Sequence, residues 1–107
     1  MSRPGEIWLA EIPFTNGAAS KIRPVLILWI DAGDAVVAAI TSAGPRSQTD
    51  VILADWQAAG LRVTSVVRLS RLDCLEQILL RQKLGVLSVN DAQNVKRIWA
   101  NQIRLQF

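Results

Sequence analysis

The 107-residue sequence contains no histidine and a single cysteine, Cys74. A zinc site of histidine and cysteine ligands therefore cannot be built, and a Ser-His-Asp triad is excluded. Neither GxxxxGK[ST] nor GxGxxG is present, so no glycine-rich phosphate loop is predicted. We expect no metal and no cofactor, and any chemistry must use Arg, Lys, Asp, Glu, Ser or Thr side chains.

Long hydrophobic runs are absent as well. The longest, Pro24 to Ile30, is far too short to cross a bilayer, and the opening MSRPGEIW lacks the apolar centre of a signal peptide. The lone cysteine allows no internal disulfide. These features predict a cytoplasmic protein that does not insert into a membrane.

The composition of the chain is rich in apolar residues and in arginine. Half of the residues are hydrophobic, which is high for one domain spanning residues 1–107 and indicates a buried dimer or partner interface. The formal net charge is +3, and arginine outnumbers lysine nine to three. Because the guanidinium fork suits phosphate contacts and base stacking, this bias leans towards nucleic acid.

Strand patterns dominate the first 87 residues, and one clear helix follows. Ser88 and Asp91 form a capping box, after which apolar residues recur at helical spacing. Turn signals separate the predicted strands. The predicted strands are Glu6–Phe14, Pro24–Ile30, Ala35–Ser42, Asp50–Ala54, Thr64–Leu72 and, less regularly, Cys74–Leu87 with a break near Gly85. The pattern predicts a mainly β fold, either a small barrel or a compact mixed sheet, with a C-terminal helix.

The stretch SKIRPVLIL places Lys21 and Arg23 just before an apolar strand. Proline fixes its own φ and lacks an N–H, so Pro24 is predicted to be the first residue of that strand. It also restrains Arg23 to an extended conformation at a loop–strand junction. A functional arginine and a charge that merely solubilises a strand end both remain open.

Other polar residues lie at predicted strand ends or beside loops. Thr41 and Ser42 end one strand, Arg46 lies in the next loop, and Arg68 and Ser70 share one face of a later strand. If these groups converge, they form a cationic pocket with hydroxyl donors. Such a pocket suits RNA cleavage by the RNA's own 2′-hydroxyl, in which negative charge grows on phosphorus. Taken singly, Thr41 and Ser42 more often form a strand-end turn, and Arg46 and Arg68 are more often solvated surface charges.

Several segments, in order, resemble the MazF/PemK family of type II toxins, which are mRNA-cleaving ribonucleases. The resemblance covers nearly the whole chain, and it depends on the order and spacing of the segments rather than on one motif. The similar segments are RPGEIWLAEIPFTNG, RPVLIL at Arg23–Leu28, AAITSA at Ala38–Ala43, SVVRLSRLDCLE at Ser65–Glu76 and KLGVLS at Lys83–Ser88.

The resemblance implies a small SH3-like barrel with helical additions that works as a homodimer. It implies an endoribonuclease that cleaves single-stranded RNA without a metal, leaving a 2′,3′-cyclic phosphate and a 5′-hydroxyl. A cognate antitoxin is also implied, and the basic groove predicts that this partner is acidic and partly disordered. By position, Arg23, Thr41 and Arg68 become catalytic. Expected RNA contacts are Lys21, Ser42, Arg46 and Ser70.

The sequence departs from the family pattern in ways that leave the general base unassigned. The loop NGAASKI carries no glutamate, Ser70 stands where some members have aspartate, and no histidine is present. Arg23 itself, with Glu6 or a water, would have to serve. Two alternatives stay open: a non-enzymatic toxin like the gyrase inhibitors of the same fold, or an RNA-binding relative. The gyrase inhibitors carry a Trp-led motif at their C-terminus, whereas this chain ends NQIRLQF.

Overall fold

A computed structural model describes residues 2–13 and 19–107. The strands are β1 (Glu6–Pro13), β2 (Ser20–Asp31), β3 (Asp34–Thr41), β4 (Asp50–Ile52), β5 (Val66–Leu75) and β6 (Leu80–Val86), followed by helix α1 (Val89–Gln102). A one-turn 3-10 helix, Gln77–Leu79, precedes β6. The helices within the described ranges lack the length and apolar character needed to span a membrane.

The six strands form one antiparallel sheet in the order β4-β5-β3-β2-β1-β6. The long β2 joins the two halves of the sheet, because its first part pairs with β1 and its second part with β3. In the described residues, no backbone ladder joins the outer strands β4 and β6. The prediction of a mainly β fold with a C-terminal helix is confirmed, with a strongly bent sheet instead of a fully closed barrel.

The gap between β4 and β6 is covered by residues 53–65, the β4–β5 connection. Two glycines allow this contact. A Cβ on Gly60 would lie 2.0 Å from the Leu84 carbonyl oxygen, and a Cβ on Gly85 would lie 2.3 Å from the Ala59 carbonyl oxygen. Gly60 also has a φ of +88°, which L side chains rarely adopt. The connection therefore packs backbone against backbone on β6.

The core lies on both faces of the central strands. Leu26 packs in a cluster that includes α1, whereas Val25 and Ile27 pack in a second cluster on the opposite face. This alternation confirms that the middle of the apolar stretch is buried on both sides. Trp29, further along β2, is 42% exposed and packs edge-to-face on Trp99 with ring centroids 5.9 Å apart.

Pro24 is not the first residue of its strand, contrary to the prediction. The strand begins at Ser20, and Pro24 pairs with Leu9 of β1. Pairing of β2 with β3 starts only at Val25. Pro24 therefore lies where β2 has a partner strand along one edge only, a position that tolerates a residue without an N–H.

The face that Arg68 and Ser70 were predicted to share is interrupted. Ala38 pairs with Leu72, but the next residue, Ala39, pairs with Arg68, so three residues of β5 fall between two consecutive pairs. Arg68 is buried and Ser70 is exposed. Period-two alternation does not hold across such an irregularity, because the extra residues turn the strand. The predicted strand Cys74–Leu87 is likewise divided into the end of β5, the 3-10 turn and β6.

The predicted helix start is confirmed, but only the Ser88 half of the predicted capping box forms, because the Asp91 carboxylate bonds to another segment. The Ser88 hydroxyl accepts the Asp91 N–H at 3.1 Å and donates to the Asp55 carboxylate at 2.6 Å. The fully buried Asp91 carboxylate accepts the N–H groups of Ala54 and Asp55, both at 2.9 Å. The N-terminus of α1 is therefore hydrogen-bonded to the β4–β5 connection, which forms one side of the cleft described next.

Candidate functional site

Arg23 and Thr41 face each other at the place where β2 and β3 separate. The last pair of this ladder joins Val25 to Ala39. Two residues further along the same antiparallel register, Arg23 lies opposite Thr41, with no backbone pairing between them. The space that opens there is a cleft of about 530 Å³ that both residues line.

The cleft is lined by both apolar and polar residues. Its apolar lining comes from β1, β2, β3, β6 and the β4–β5 connection: Leu9, Pro24, Ile40, Leu61, Val63 and Leu84. The polar residues that line it are Arg23, Thr41, Ser42, Arg62, Ser65 and Gln82. As far as the described residues show, the lining contains two guanidinium groups and no carboxylate, so the cleft suits an anionic ligand.

The hydroxyl of Thr41 is oriented by the chain that follows it. Its Oγ1 accepts the Ala43 N–H at 3.1 Å, which leaves the O–H of Thr41 available as a donor. The nearby Ser65 hydroxyl donates instead to the Val63 carbonyl oxygen at 2.8 Å. Of the two, Thr41 is therefore the one that can offer its proton to a phosphate oxygen in the cleft.

Arg68 lies outside the cleft, in a buried ion pair. It pairs across the sheet with Asp50 of β4, and its Nη1 lies 2.8 Å from Oδ2 of that carboxylate. The two side chains are only 9% and 1% exposed. The same oxygen accepts the Arg46 N–H at 2.7 Å. Arg68 and Asp50 therefore hold the β3–β4 connection, residues 42–49, against the sheet.

Three of the four predicted RNA contacts, Lys21, Arg46 and Ser70, do not line the cleft, and all three are exposed. Lys21 lies two residues before Arg23 on the same face of β2. Arg46 lies in the β3–β4 connection, and Ser70 lies at the irregular part of β5. The structure thus brings Arg23, Thr41 and Ser42 together in the cleft. The predicted site residues that lie outside it are Lys21, Arg46, Arg68 and Ser70. The predicted turn around Asn16 and Gly17 lies outside the described residues.

Glu6, which had been considered as a partner of Arg23 in proton abstraction, does not line the cleft. Its carboxylate accepts hydrogen bonds from the Trp8 indole at 3.0 Å and the Arg3 N–H at 2.8 Å, and it pairs with Lys83 at 2.9 Å. Burial acts to raise the pKa of Glu6, but the hydrogen bonds from Lys83, Trp8 and Arg3 outweigh it and hold the pKa at about 2. Glu6 joins β1 to β6 and is a poor proton acceptor.

Sequence patterns did not single out Arg62 and Gln82, which also line the cleft. Each is exposed, and neither belongs to a local motif. The only sequence signal near Arg62 is Gly60, which predicts a turn. Their location depends on β6 and the β4–β5 connection meeting across the sheet, a contact between segments more than 20 residues apart.

The family follows from a comparison of the whole sequence. The profile of a family described as "PemK-like, MazF-like toxin of type II toxin-antitoxin system" matches residues 3–103. The chain belongs to this family of toxins. The resemblance found in the sequence is thereby confirmed. A sequence comparison of this toxin with curated proteins finds no match.

Solved structures agree with the toxin's fold. An endoribonuclease in complex with its cognate antitoxin from Mycobacterial species superposes with a TM-score of 0.78 at 16% identity, covering 100% of this chain and 99% of that one. The Mycobacterium tuberculosis toxin MazF-mt6 gives 0.72 at 24% identity, with 90% and 93% covered. A MazE–MazF structure (Form-III) from Deinococcus radiodurans gives 0.68 at 20% identity, with 92% and 94% covered. At these identities the likeness shows the fold alone.

Proposed function

We propose that this toxin is an endoribonuclease that cleaves single-stranded RNA, with the RNA's own 2′-hydroxyl as the nucleophile. The products are a 2′,3′-cyclic phosphate and a 5′-hydroxyl, and no metal ion takes part. The observation that carries this proposal is the cleft in which Arg23 lies opposite Thr41, in a chain of this toxin family. Two of the solved structures that share the fold are named endoribonucleases, which supports the same activity.

Arg23 binds the scissile phosphate and stabilises the charge that grows on it. Its backbone is restrained by Pro24, and the next three residues of β2 are buried in the core. The backbone at Arg23 is therefore restrained before RNA binds, so only the side chain has to be ordered on the phosphate. Thr41 donates its hydroxyl proton to another oxygen of the same phosphate, because its other contact is to a donor, the Ala43 N–H.

Among the described residues, the lining of the cleft provides no carboxylate to take the 2′-proton. Residues 14–18, by sequence, are Phe, Thr, Asn, Gly and Ala, none of which has a basic side chain. We infer that water or hydroxide removes the proton, so the single-turnover rate rises about tenfold per pH unit between about pH 6 and pH 8. A rate that levels off within this range would identify a protein group as the base. The absence of a carboxylate from the described lining also favours the second candidate, an RNA-binding relative without cleavage activity.

The remaining predicted residues have supporting roles in this proposal. Lys21, Ser42, Arg46 and Ser70 contact the RNA outside the reacting phosphate. Arg68, which was predicted to be catalytic, acts through Asp50 by holding the β3–β4 connection in place.

Two protein partners and a compartment complete the proposal. The chain forms a homodimer, because several large apolar side chains are exposed in the described residues: Ile22, Trp29, Ile52, Leu72, Ile78 and Val86. A cognate antitoxin, acidic and partly disordered, covers the basic cleft, in keeping with the antitoxin complex among the related folds. The toxin acts on RNA in the cytoplasm.

The decisive experiment is single-turnover cleavage of a labelled RNA in EDTA by the parent and the Arg23→Lys variant at equal, saturating protein. Lysine keeps the charge but loses the bidentate fork. The loss of one preorganised donor costs about 2.7–4 kcal/mol, so cleavage slows roughly a hundred- to a thousandfold. Thr41→Ala slows it less, since a neutral hydroxyl contributes less than a charged fork.

Arg97→Lys is the matched control, because Arg97 lies on α1, does not line the cleft, and in the described part of the chain donates its one side-chain hydrogen bond to Asn94, at 3.4 Å. Cleavage by Arg23→Lys at the parent rate would remove Arg23 from the mechanism. RNA that binds the parent but stays intact would leave the binding module as the function.

A further inference from the structure

Arg62 is the second guanidinium of the cleft, and it belongs to a different element from Arg23. It is exposed and lines the cleft from the β4–β5 connection, whereas Arg23 lines it from β2. Within residues 2–13 and 19–107, the three ion pairs use Arg68, Arg81 and Lys83, so neither cleft arginine is neutralised by a carboxylate. Two cations without a carboxylate partner at one cleft make the potential there positive.

The segment that carries Arg62 is held by unusually close contacts. The preceding Leu61 is buried, and its N–H donates to the Trp56 carbonyl oxygen at 3.1 Å. One residue earlier, Gly60 lies so close to Leu84 of β6 that no side chain would fit between the two backbones. The start of the connection is fixed by the buried carboxylate of Asp91. The backbone at Arg62 is therefore ordered before any ligand binds.

A rigid backbone beneath an exposed arginine lowers the cost of binding. Only the side-chain rotamers of Arg62 need to be ordered when an anion arrives, because the chain beneath it is already fixed. Because the two arginines line the cleft from different elements, the cleft suits a polyanion that presents one charged group to each of them. A single-stranded nucleic acid has this chemistry, with a phosphate at every nucleotide.

We propose that Arg62 binds a phosphate of the RNA next to the one held by Arg23, and so sets the path of the strand across the cleft. This inference rests on the proposed function, since it takes the ligand to be RNA. Arg62 contacts a phosphate that does not react. It therefore contributes equally to the ground state and the transition state, and its loss weakens binding without slowing the saturated reaction.

The test measures binding of a single-stranded 2′-O-methyl RNA, which cannot react, to the parent and to Arg62→Gln over a range of NaCl concentrations. Each phosphate contact adds about 0.7 to the magnitude of the slope of log K against log [salt] for a single strand. The slope of Arg62→Gln should be smaller by about 0.7, and the affinity at low salt roughly ten- to a hundredfold weaker. Arg62→Lys should keep the parent slope, and Arg97→Gln on α1 is the matched control.

Cleavage of an unmodified RNA supplies the second readout. At saturating protein, Arg62→Gln should cleave within about threefold of the parent rate, whereas Arg23→Lys should not. An unchanged salt slope in Arg62→Gln would overturn the inference, and so would a loss of saturated rate as large as that of Arg23→Lys. If the parent itself binds no RNA, the proposed function fails; if the parent binds and cleaves while Arg62→Gln matches it, only this inference fails.

Discussion

Replacing Arg68 by methionine tests whether this arginine acts in the chemistry or in the fold. Methionine is close to arginine in volume, although shorter, and has no charge, so it occupies much of the same space without pairing. The substitution leaves the Asp50 carboxylate, whose side chain is only 1% exposed, with the Arg46 N–H as its remaining donor. A buried carboxylate in that condition is strongly unfavourable, because neither water nor a cation compensates for its lost hydration.

The expected loss follows from the burial of the pair. Breaking a buried ion pair by removing one partner costs about 3–5 kcal/mol, against a total stability of about 5–15 kcal/mol for a small domain. Arg68→Met should therefore lower the free energy of unfolding by about a fifth or more of its total. The double variant Arg68→Met with Asp50→Leu removes both charges and should recover most of the loss, since apolar replacement of a buried pair is often neutral.

Urea unfolding followed by tryptophan fluorescence measures the stability of the parent, both single variants and the double variant. Single-turnover cleavage under conditions where each variant is folded measures activity separately. We expect the folded double variant to cleave within about tenfold of the parent rate, because it loses only the contacts through which Arg68 and Asp50 fix the β3–β4 connection against the sheet. An Arg68→Met variant that unfolds like the parent but cleaves a hundredfold more slowly would refute this reasoning and make Arg68 catalytic.

Three further predictions concern stability and assembly. The pKa of Glu6 lies at about 2 in the fold, against an ordinary value of 4.5, so the ionised carboxylate stabilises the fold fully above about pH 4.5 and this stabilisation is lost as pH falls towards 2. Urea midpoints measured across this range should therefore fall less steeply with falling pH in Glu6→Gln than in the parent. Gly85→Ala places a Cβ 2.3 Å from a backbone oxygen and should cost at least about 1–3 kcal/mol in urea unfolding, whereas Gly44→Ala, with nothing within 4 Å of the new Cβ, should be nearly neutral. Sedimentation at micromolar concentration should give about twice the 11.8 kDa chain mass, and a monomer that still cleaves RNA would contradict the dimer.

The sequence by itself determined the features that depend on neighbouring residues. The helix begins where Ser88 and Asp91 form a cap, because the capping contact spans only three residues. The apolar run that becomes the middle of β2 is buried on both faces, as its unbroken hydrophobicity indicates. The order of short segments was enough to indicate the family and its mainly β fold. Arg23, Thr41 and Ser42 could be singled out because each lies at a strand end or beside a proline.

Only the tertiary structure decided which of these polar residues share a cleft. Arg68 is buried because Asp50 lies opposite it on another strand, 18 residues away, and no local pattern reveals such a partner. Arg62 reaches the cleft because two glycines let the β4–β5 connection touch β6. Pro24 can stand inside a strand since pairing with β3 begins one residue later. In each case the deciding contact joins segments distant in sequence, and its geometry exists only once the sheet has bent and the strands have found their register.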